Sequence, residues 1–292
     1  MITSKIKCLR DPFILLEGDC YYAYGTDWHC FRATELDGDW EDLGVVVEYP
    51  ADFETNPWAP EVHRYKGAYY MFTTYKSKVT QNRGCVIFRA ERPEGPYTLI
   101  TDGALTPAGW DTIDGTLYID AEGQPYMVFV HEWTSMPDKI GAMAVAKLSD
   151  DFTRLVSEPI ELFRANDPAW SDHNVTDGCF MYTTKEGKLL MIWSNFTPDP
   201  TSPHGHSYAV GIAESTTGKV EGPWVHQEKM LFCRAMSGGV YDGGHGMIFT
   251  AKDGVQYLSI HSPNNVAYGR KETPIFIPIR EENGTLVLEL DN

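Results

Sequence analysis

The 292-residue chain contains no apolar run of the length, about 20 residues, that a bilayer-spanning helix needs. Long amphipathic helical periodicity is nearly absent too, which points away from helical folds. Basic residues are scarce: 24 Lys and Arg stand against 41 Asp and Glu, a formal net charge of −17. Such a field repels phosphate backbones and anionic membrane surfaces, so the expected partner is neither nucleic acid nor membrane but a neutral molecule. The six cysteines (Cys8, Cys20, Cys30, Cys85, Cys179 and Cys233) form no CxxC pair. They read as free thiols of a reducing compartment. Met1 to Arg10 carries Lys5, Lys7 and Arg10 with no apolar stretch behind them, so no secretion signal is visible and a cytoplasmic location is expected. No GxSxG nucleophile elbow appears. The Gly-rich SGGVYDGGHG segment leads into no helix that would make it a phosphate cradle.

What the chain has in quantity is aromatic residues: 8 Trp, 16 Tyr and 13 Phe. They fall in short strand-like runs, with β-branched residues, between Gly, Pro, Asp and Asn turns, the pattern of an all-β protein. One unit recurs five times: a polar leading residue, a strand, a Gly turn and an aromatic strand. The copies start at Asp11 (DPFILLEGDCYYAYGTD), Glu61 (EVHRYKGAYYMFTTY), Asp114 (DGTLYIDAEGQPYMVFVHEW), Asp177 (DGCFMYTTKEGKLLMIWSNF) and His245 (HGMIFTAKDGVQYLSIHSPN). A strand-turn-strand repeat with this period reads as a propeller blade. The expectation is one five-bladed β-propeller over residues 1–292, closed by a last hairpin around Glu282-Asn283-Gly284. The five leading residues then converge on one axial pocket. The competing reading is that Asp before Gly or Pro merely opens a turn.

A ring of inward carboxyls suits glycosidic hydrolysis, in which one carboxylate acts as base or nucleophile and a second carboxyl gives up a proton. The motifs RDPF with YYAYGTD, WAPEVHRYKGAYYMF, IDGTLYIDAEGQPYMVF and DGGHGMIF lie in order at blade spacing. Together they resemble glycoside hydrolase family 43, from about Arg10 to Pro263. The resemblance implies an inverting, exo-acting hydrolase of terminal α-L-arabinofuranosides or β-xylosides, with galactosides a further option. It makes Asp11 the general base and Asp114 the residue that tunes and orients the acid. Asp177 in VTDGCFMY takes the place of the family's usual Glu acid. Asp is one methylene shorter, so Glu132 or Glu214 are alternative donors. The same departure leaves open a sugar-binding propeller without catalysis.

The candidate sugar contacts are Trp28, Trp58, Glu61, His131, Glu132, Trp133 and Arg270. Glu61 either bonds a sugar hydroxyl or braces its own strand, and His131 either enters the site or ends a strand. The resemblance places Arg270 on substrate hydroxyls and His245 near an axial calcium ion or its water shell. No cofactor is required for the chemistry. His204 and His206, in SPHGHSY, read as part of a loop over the pocket.

Overall fold

The computed structural model describes residues 1–264 and 271–290. Five antiparallel sheets form a five-bladed β-propeller, and successive strands of each blade run from the axis outward. Blade one contains Phe13–Glu17, Cys20–Gly25, His29–Ala33 and Glu41–Val45. Blade two contains Phe53–Tyr65, Ala68–Ser77, Arg83–Ala90 and Thr98–Leu99, and blade three Thr112–Ile119, Pro125–His131, Ala142–Lys147 and Ile160–Arg164. Blade four contains Asp177–Thr183, Leu189–Pro198, His206–Ser215 and Trp224–His226, with Phe232–Cys233 also on its third strand. Blade five is Gly244–Thr250, Gln256–Ser262 and Thr273–Glu282. The third strand of blade five pairs with Thr285–Leu288, making the expected last hairpin, and also with Ile2–Thr3 from the other end of the chain. The N-terminal strand thus joins the last blade, a closure absent from the sequence reading. No helix among the described residues is long and apolar enough to cross a membrane.

Apolar side chains are packed between neighbouring blades. Tyr24, Met71, Phe88, Met247 and Phe276 share one buried cluster, so blades one, two and five meet through it. Phe72, Ile87, Met127 and Phe129 join blades two and three. Each sheet buries both faces against its neighbours, which is why strands such as Pro125–His131 are buried at every position rather than alternately.

The inner strands share a kink that the sequence does not announce. In blades two to five a register shift falls near the start of the inner strand, between Trp58 and Glu61, Ile113 and Thr116, Asp177 and Phe180, and Gly244 and Met247. Just after the first residue of each shift stands a left-handed residue: Ala59 (φ 42°), Asp114 (55°), Gly178 (50°) and His245 (51°). Asp11 (φ 54°) stands in the same relation to Phe13, where the pairing of blade one begins. These are β-bulges, which bend a strand and re-aim its side chains. A left-handed backbone costs a non-glycine residue about 1–3 kcal/mol. Each bulge also takes a backbone N–H out of the ladder, and the preceding blade offers it a partner. Ala59 N donates to Thr26 Oγ1 (3.4 Å), Asp114 N to Thr74 Oγ1 (3.0 Å), Gly178 N to Asp114 Oδ2 (2.9 Å) and His245 N to Ser194 Oγ (2.9 Å). Asp11 N faces His261 Nδ1 of blade five at 3.4 Å.

This fivefold equivalence corrects the phase of the repeat. Asp11, Asp114 and His245 are equivalent positions. Glu61 lies beyond its bulge residue Ala59, and Asp177 lies immediately before its bulge residue Gly178. What singles out glycine at 178 is space: its φ is shared with non-glycine residues of the other bulges, but a Cβ built there would stand 2.8 Å from His245 Cγ.

Candidate active site

A pocket of about 470 Å³ opens over the bulged strand starts. Asp11, Asp114, Asp177 and His245 line it, with Glu132, Glu272, Arg10, Trp58 and Trp133. His245 is the hub. Its Nδ1 lies 3.4 Å from Asp11 Oδ1, 3.5 Å from Asp177 Oδ1 and 3.7 Å from Asp114 Oδ2. Burial works against a charged imidazole, but the three carboxyls outweigh it and raise the His245 pKa to about 10. The residue is therefore a buried imidazolium at neutral pH.

Asp11 is buried, and burial alone would push its pKa up. The charges of His245 and Arg10, with the contact to His261, more than reverse this and hold it ionised, well below the ordinary carboxylate range. Thr26 Oγ1 donates to Asp11 Oδ2 at 2.6 Å, and Arg10 Nε stands 3.6 Å from Oδ1. His261 is fully buried, with its Nδ1 3.2 Å from Asp11 Oδ1 and 3.4 Å from Asp11 N. The neighbouring pair behaves in the opposite way. Burial and the adjacent Asp177 charge push Asp114 well up, while hydrogen bonds with Asp114 and His245 overcome burial and hold Asp177 down. Two carboxyls in contact with each other thus share one proton, and they titrate as a pair. Asp177 Oδ2 also accepts the hydroxyl of buried Tyr208. The site sets an ionised carboxylate beside a proton-holding carboxyl pair, the two protonation states that general base and acid catalysis requires.

The other sequence candidates divide clearly. Trp58, Glu132 and Trp133 do line the pocket. Glu132 Oε2 accepts Arg83 Nε, and burial raises the Glu132 pKa against the opposing Arg83 charge. Trp28 is not a sugar contact. It is fully buried between blades one and two against Tyr49, Phe53, Tyr75 and Phe88, and its Nε1 donates to Thr73 Oγ1 at 2.8 Å. Glu61 does not line the pocket; its Oε2 accepts Thr116 Oγ1 at 2.6 Å and lies 3.1 Å from His63 Nε2, so it braces neighbouring inner strands. His131 also lies outside the pocket, stacked on Trp110 with ring centroids 3.8 Å apart. Glu214, the other reserve acid, pairs with Lys188 at 3.2 Å, at the end of blade four opposite Asp177. His206 packs on His173 and Phe196, and neither His204 nor His206 lines the pocket. Arg270 lies outside the described residues.

Sequence reasoning gave no role to Arg10, Thr26, Tyr208, His261 or Glu272. Among the described residues, Arg10 is the arginine that lines the pocket: beside Asp11, its Nη1 donates to Asn264 Oδ1 (2.9 Å) and lies 3.4 Å from Glu272 Oε1. Its only sequence signal was its place before Asp11 in RDPF.

Asp114, Asp177 and His245 are also the described residues whose ligand atoms gather closely, all within 4.8 Å of one another. Calcium takes about 6–8 oxygen ligands, waters included, so these two carboxylates and one imidazole would hold it with water completing the shell. A bound cation and a protonated His245 would compete for the same carboxylates. No step below passes through a metal.

The sequence pattern of the Glycosyl hydrolases family 43 matches residues 6–282. The chain belongs to that family. It is therefore a hydrolase of glycosidic bonds, and its substrate is a carbohydrate. The endo-arabinase of Bacteroides thetaiotaomicron VPI-5482 is 34% identical in sequence, and its crystal structure superposes with a TM-score of 0.82 over 97% of each chain. A probable arabinan endo-1,5-alpha-L-arabinosidase D of Emericella nidulans is 24% identical over 82% of this chain and 66% of its own length. An extracellular exo-alpha-(1->5)-L-arabinofuranosidase, ArbA of Cellvibrio japonicus, is 25% identical over 54% of this chain and 48% of its own length. The chain thus spans between about half and two thirds of these two curated relatives.

Proposed function

We propose that this family 43 hydrolase cleaves α-L-arabinofuranosyl linkages inside a neutral arabinan-type chain, with inversion of configuration. The observation that carries this reading is the gathering of Asp11, Asp114 and Asp177 within 3.4–3.7 Å of His245 in one pocket, which supports Asp11 as base and the Asp114–Asp177 pair as proton source. Asp11 accepts a proton from water as the water attacks the anomeric carbon. Asp177, the partly exposed member of the pair, passes a proton to the departing sugar oxygen, and Asp114 keeps that proton available. Trp58 and Trp133 offer apolar surface to the sugar rings, and Glu132, fixed by Arg83, accepts hydroxyl hydrogen bonds. Inversion follows the family resemblance. The 34% identical endo-arabinase supports both the arabinan substrate and internal cleavage. Removal of terminal units, to which the sequence motifs pointed, is the second reading, favoured by the likeness to the Cellvibrio enzyme.

Products from linear α-1,5-arabinan test the substrate and the mode. A ladder of short oligosaccharides early in the reaction supports internal cleavage, arabinose alone supports terminal cleavage, and no hydrolysis contradicts the substrate class. Proton NMR of the first-formed product tests the stereochemistry: the β anomer marks inversion, and the α anomer contradicts it. Asp177→Asn should damage hydrolysis of arabinan far more than that of an activated aryl arabinofuranoside, whose leaving group needs little protonation. Equal damage to both would take the donor role from Asp177 and move it to Glu132.

A further inference from the structure

A second cavity, of about 580 Å³, lies beside the catalytic pocket and belongs to none of the chemistry above. Its volume falls in the range of about 300–1,000 Å³ typical of small-ligand sites. Three loops build it: the approach to blade two around Asp52, the turn between the second and third strands of blade two around Asn82, and the segment from Thr101 to Trp110 that leads into blade three. All three sit at the end of the propeller where the inner strands begin, which is the face that carries Asp11 and Asp114. The two cavities share a wall. Arg83 lines the second cavity, yet its Nε binds Glu132 of the catalytic pocket, and its guanidinium stands 5.7 Å from the ring of Trp58.

The lining chemistry selects a neutral ligand. The Arg83 charge is already answered by Glu132 and by Asp111 at 3.4 Å. Among the described residues, Arg83 is the one basic residue lining the cavity, and Asp52 adds an anion that accepts hydrogen bonds from Tyr75 (2.8 Å) and Ser77 (3.1 Å), so the lining offers no unpaired cation for an acidic group. Asp102 is exposed and adds negative charge, in a chain whose net charge is −17. What the cavity offers is a braced aromatic platform. The Trp110 indole lies flat on His131, with 6° between the planes, and His131 Nε2 is 3.1 Å from Ser135 Oγ, which in turn accepts Asp111 N at 2.8 Å. An aromatic already locked in place loses little freedom when a ring stacks on it. His131, displaced from the catalytic pocket, thereby acquires a role as the brace of Trp110.

We propose that this cavity is a distal saccharide subsite, holding further sugar residues of the same chain whose scissile bond lies over Asp11, with Trp110 as their platform. The inference rests on the internal-cleavage reading above and adds to it the direction of the chain, from the axis outward over the junction of blades two and three.

The test measures binding of linear arabino-oligosaccharides of increasing length by calorimetry, using full-length protein carrying Asp11→Asn so that the ligand stays intact. Affinity should rise with length until the second cavity is filled. Adding Trp110→Ala should remove that rise, roughly tenfold in Kd for the long ligand, and leave the shortest binding ligand unchanged. Ala108→Trp, which fills the rim from an exposed lining position, should do the same without removing the platform. In the active background both substitutions should lower kcat/KM on arabinan and spare an aryl arabinofuranoside. A length dependence that ignores both substitutions, or equal losses on short and long ligands, overturns the subsite while leaving the arabinan reading intact. Failure to bind arabino-oligosaccharides of any length, by a protein that still cleaves another glycoside, overturns the substrate class instead.

Discussion

The five inner strands begin with the same backbone kink but carry different side chains. Blades one, three and five place Asp11, Asp114 and His245 on the bulge, and blades two and four place Ala59 and Gly178 there. The charged positions supply an anion, a proton-holding carboxyl and the cation that organises them. The small positions supply room. Gly178 gives way to the His245 ring, and the carboxyl of blade four is carried one residue earlier, on Asp177. The fold therefore makes five equivalent places, and the chemistry follows from which are filled and which are left small.

The comparison breaks most visibly at a charged position. Asp11→Asn keeps the side-chain size and removes the proton acceptor, and it should lower kcat on the best substrate about 10²–10⁴-fold, with the fold preserved by circular dichroism. Turnover near the wild-type level would remove Asp11 from the base role. Gly178→Ala introduces a methyl group at positive φ and against His245, so it should destabilise by about 1–3 kcal/mol and impair activity through the displaced imidazole. Ala59→Gly is the converse at the same backbone geometry. It relieves left-handed strain, partly offset by greater freedom of the unfolded chain, and should raise stability by no more than about 1 kcal/mol with activity unchanged. Denaturant unfolding measures both, and the same sign for the two substitutions would refute the shared-kink account.

The blade count, the order of motifs and three of the five axial residues were legible in the sequence, because Asp-Pro, Asp-Gly and His-Gly mark the kinks where side chains turn inward. The exact phase was not. A search for charged leading residues steps past Ala59 to Glu61 and stops short of Gly178 at Asp177, since the equivalence lies in φ rather than in residue type. Trp28 and His131 were misplaced for another reason. Whether an aromatic or a histidine at a strand end faces the axis or the gap between blades depends on the neighbouring blade, and Tyr75, Phe88 and Trp110 come from segments distant in sequence. Arg10, Tyr208 and His261 lie inside or beside quoted motifs, but only blade closure brings them to Asp11 and Asp177.

The electrostatics of the axis turn on the charge of His245, which three carboxyls face at 3.4–3.7 Å. Its pKa is raised in the fold, so its contribution to stability is full below the ordinary histidine value of about 6.5 and is lost as pH rises through about 10. The direct test is a pH titration of the His245 imidazole by NMR in chelator-treated protein, assigned by comparison with His245→Gln. The account predicts an imidazolium at neutral pH with a midpoint near 10. A neutral ring at pH 7 that titrates near or below about 6.5, together with activity that disappears with the chelated ion and returns with calcium, would contradict it.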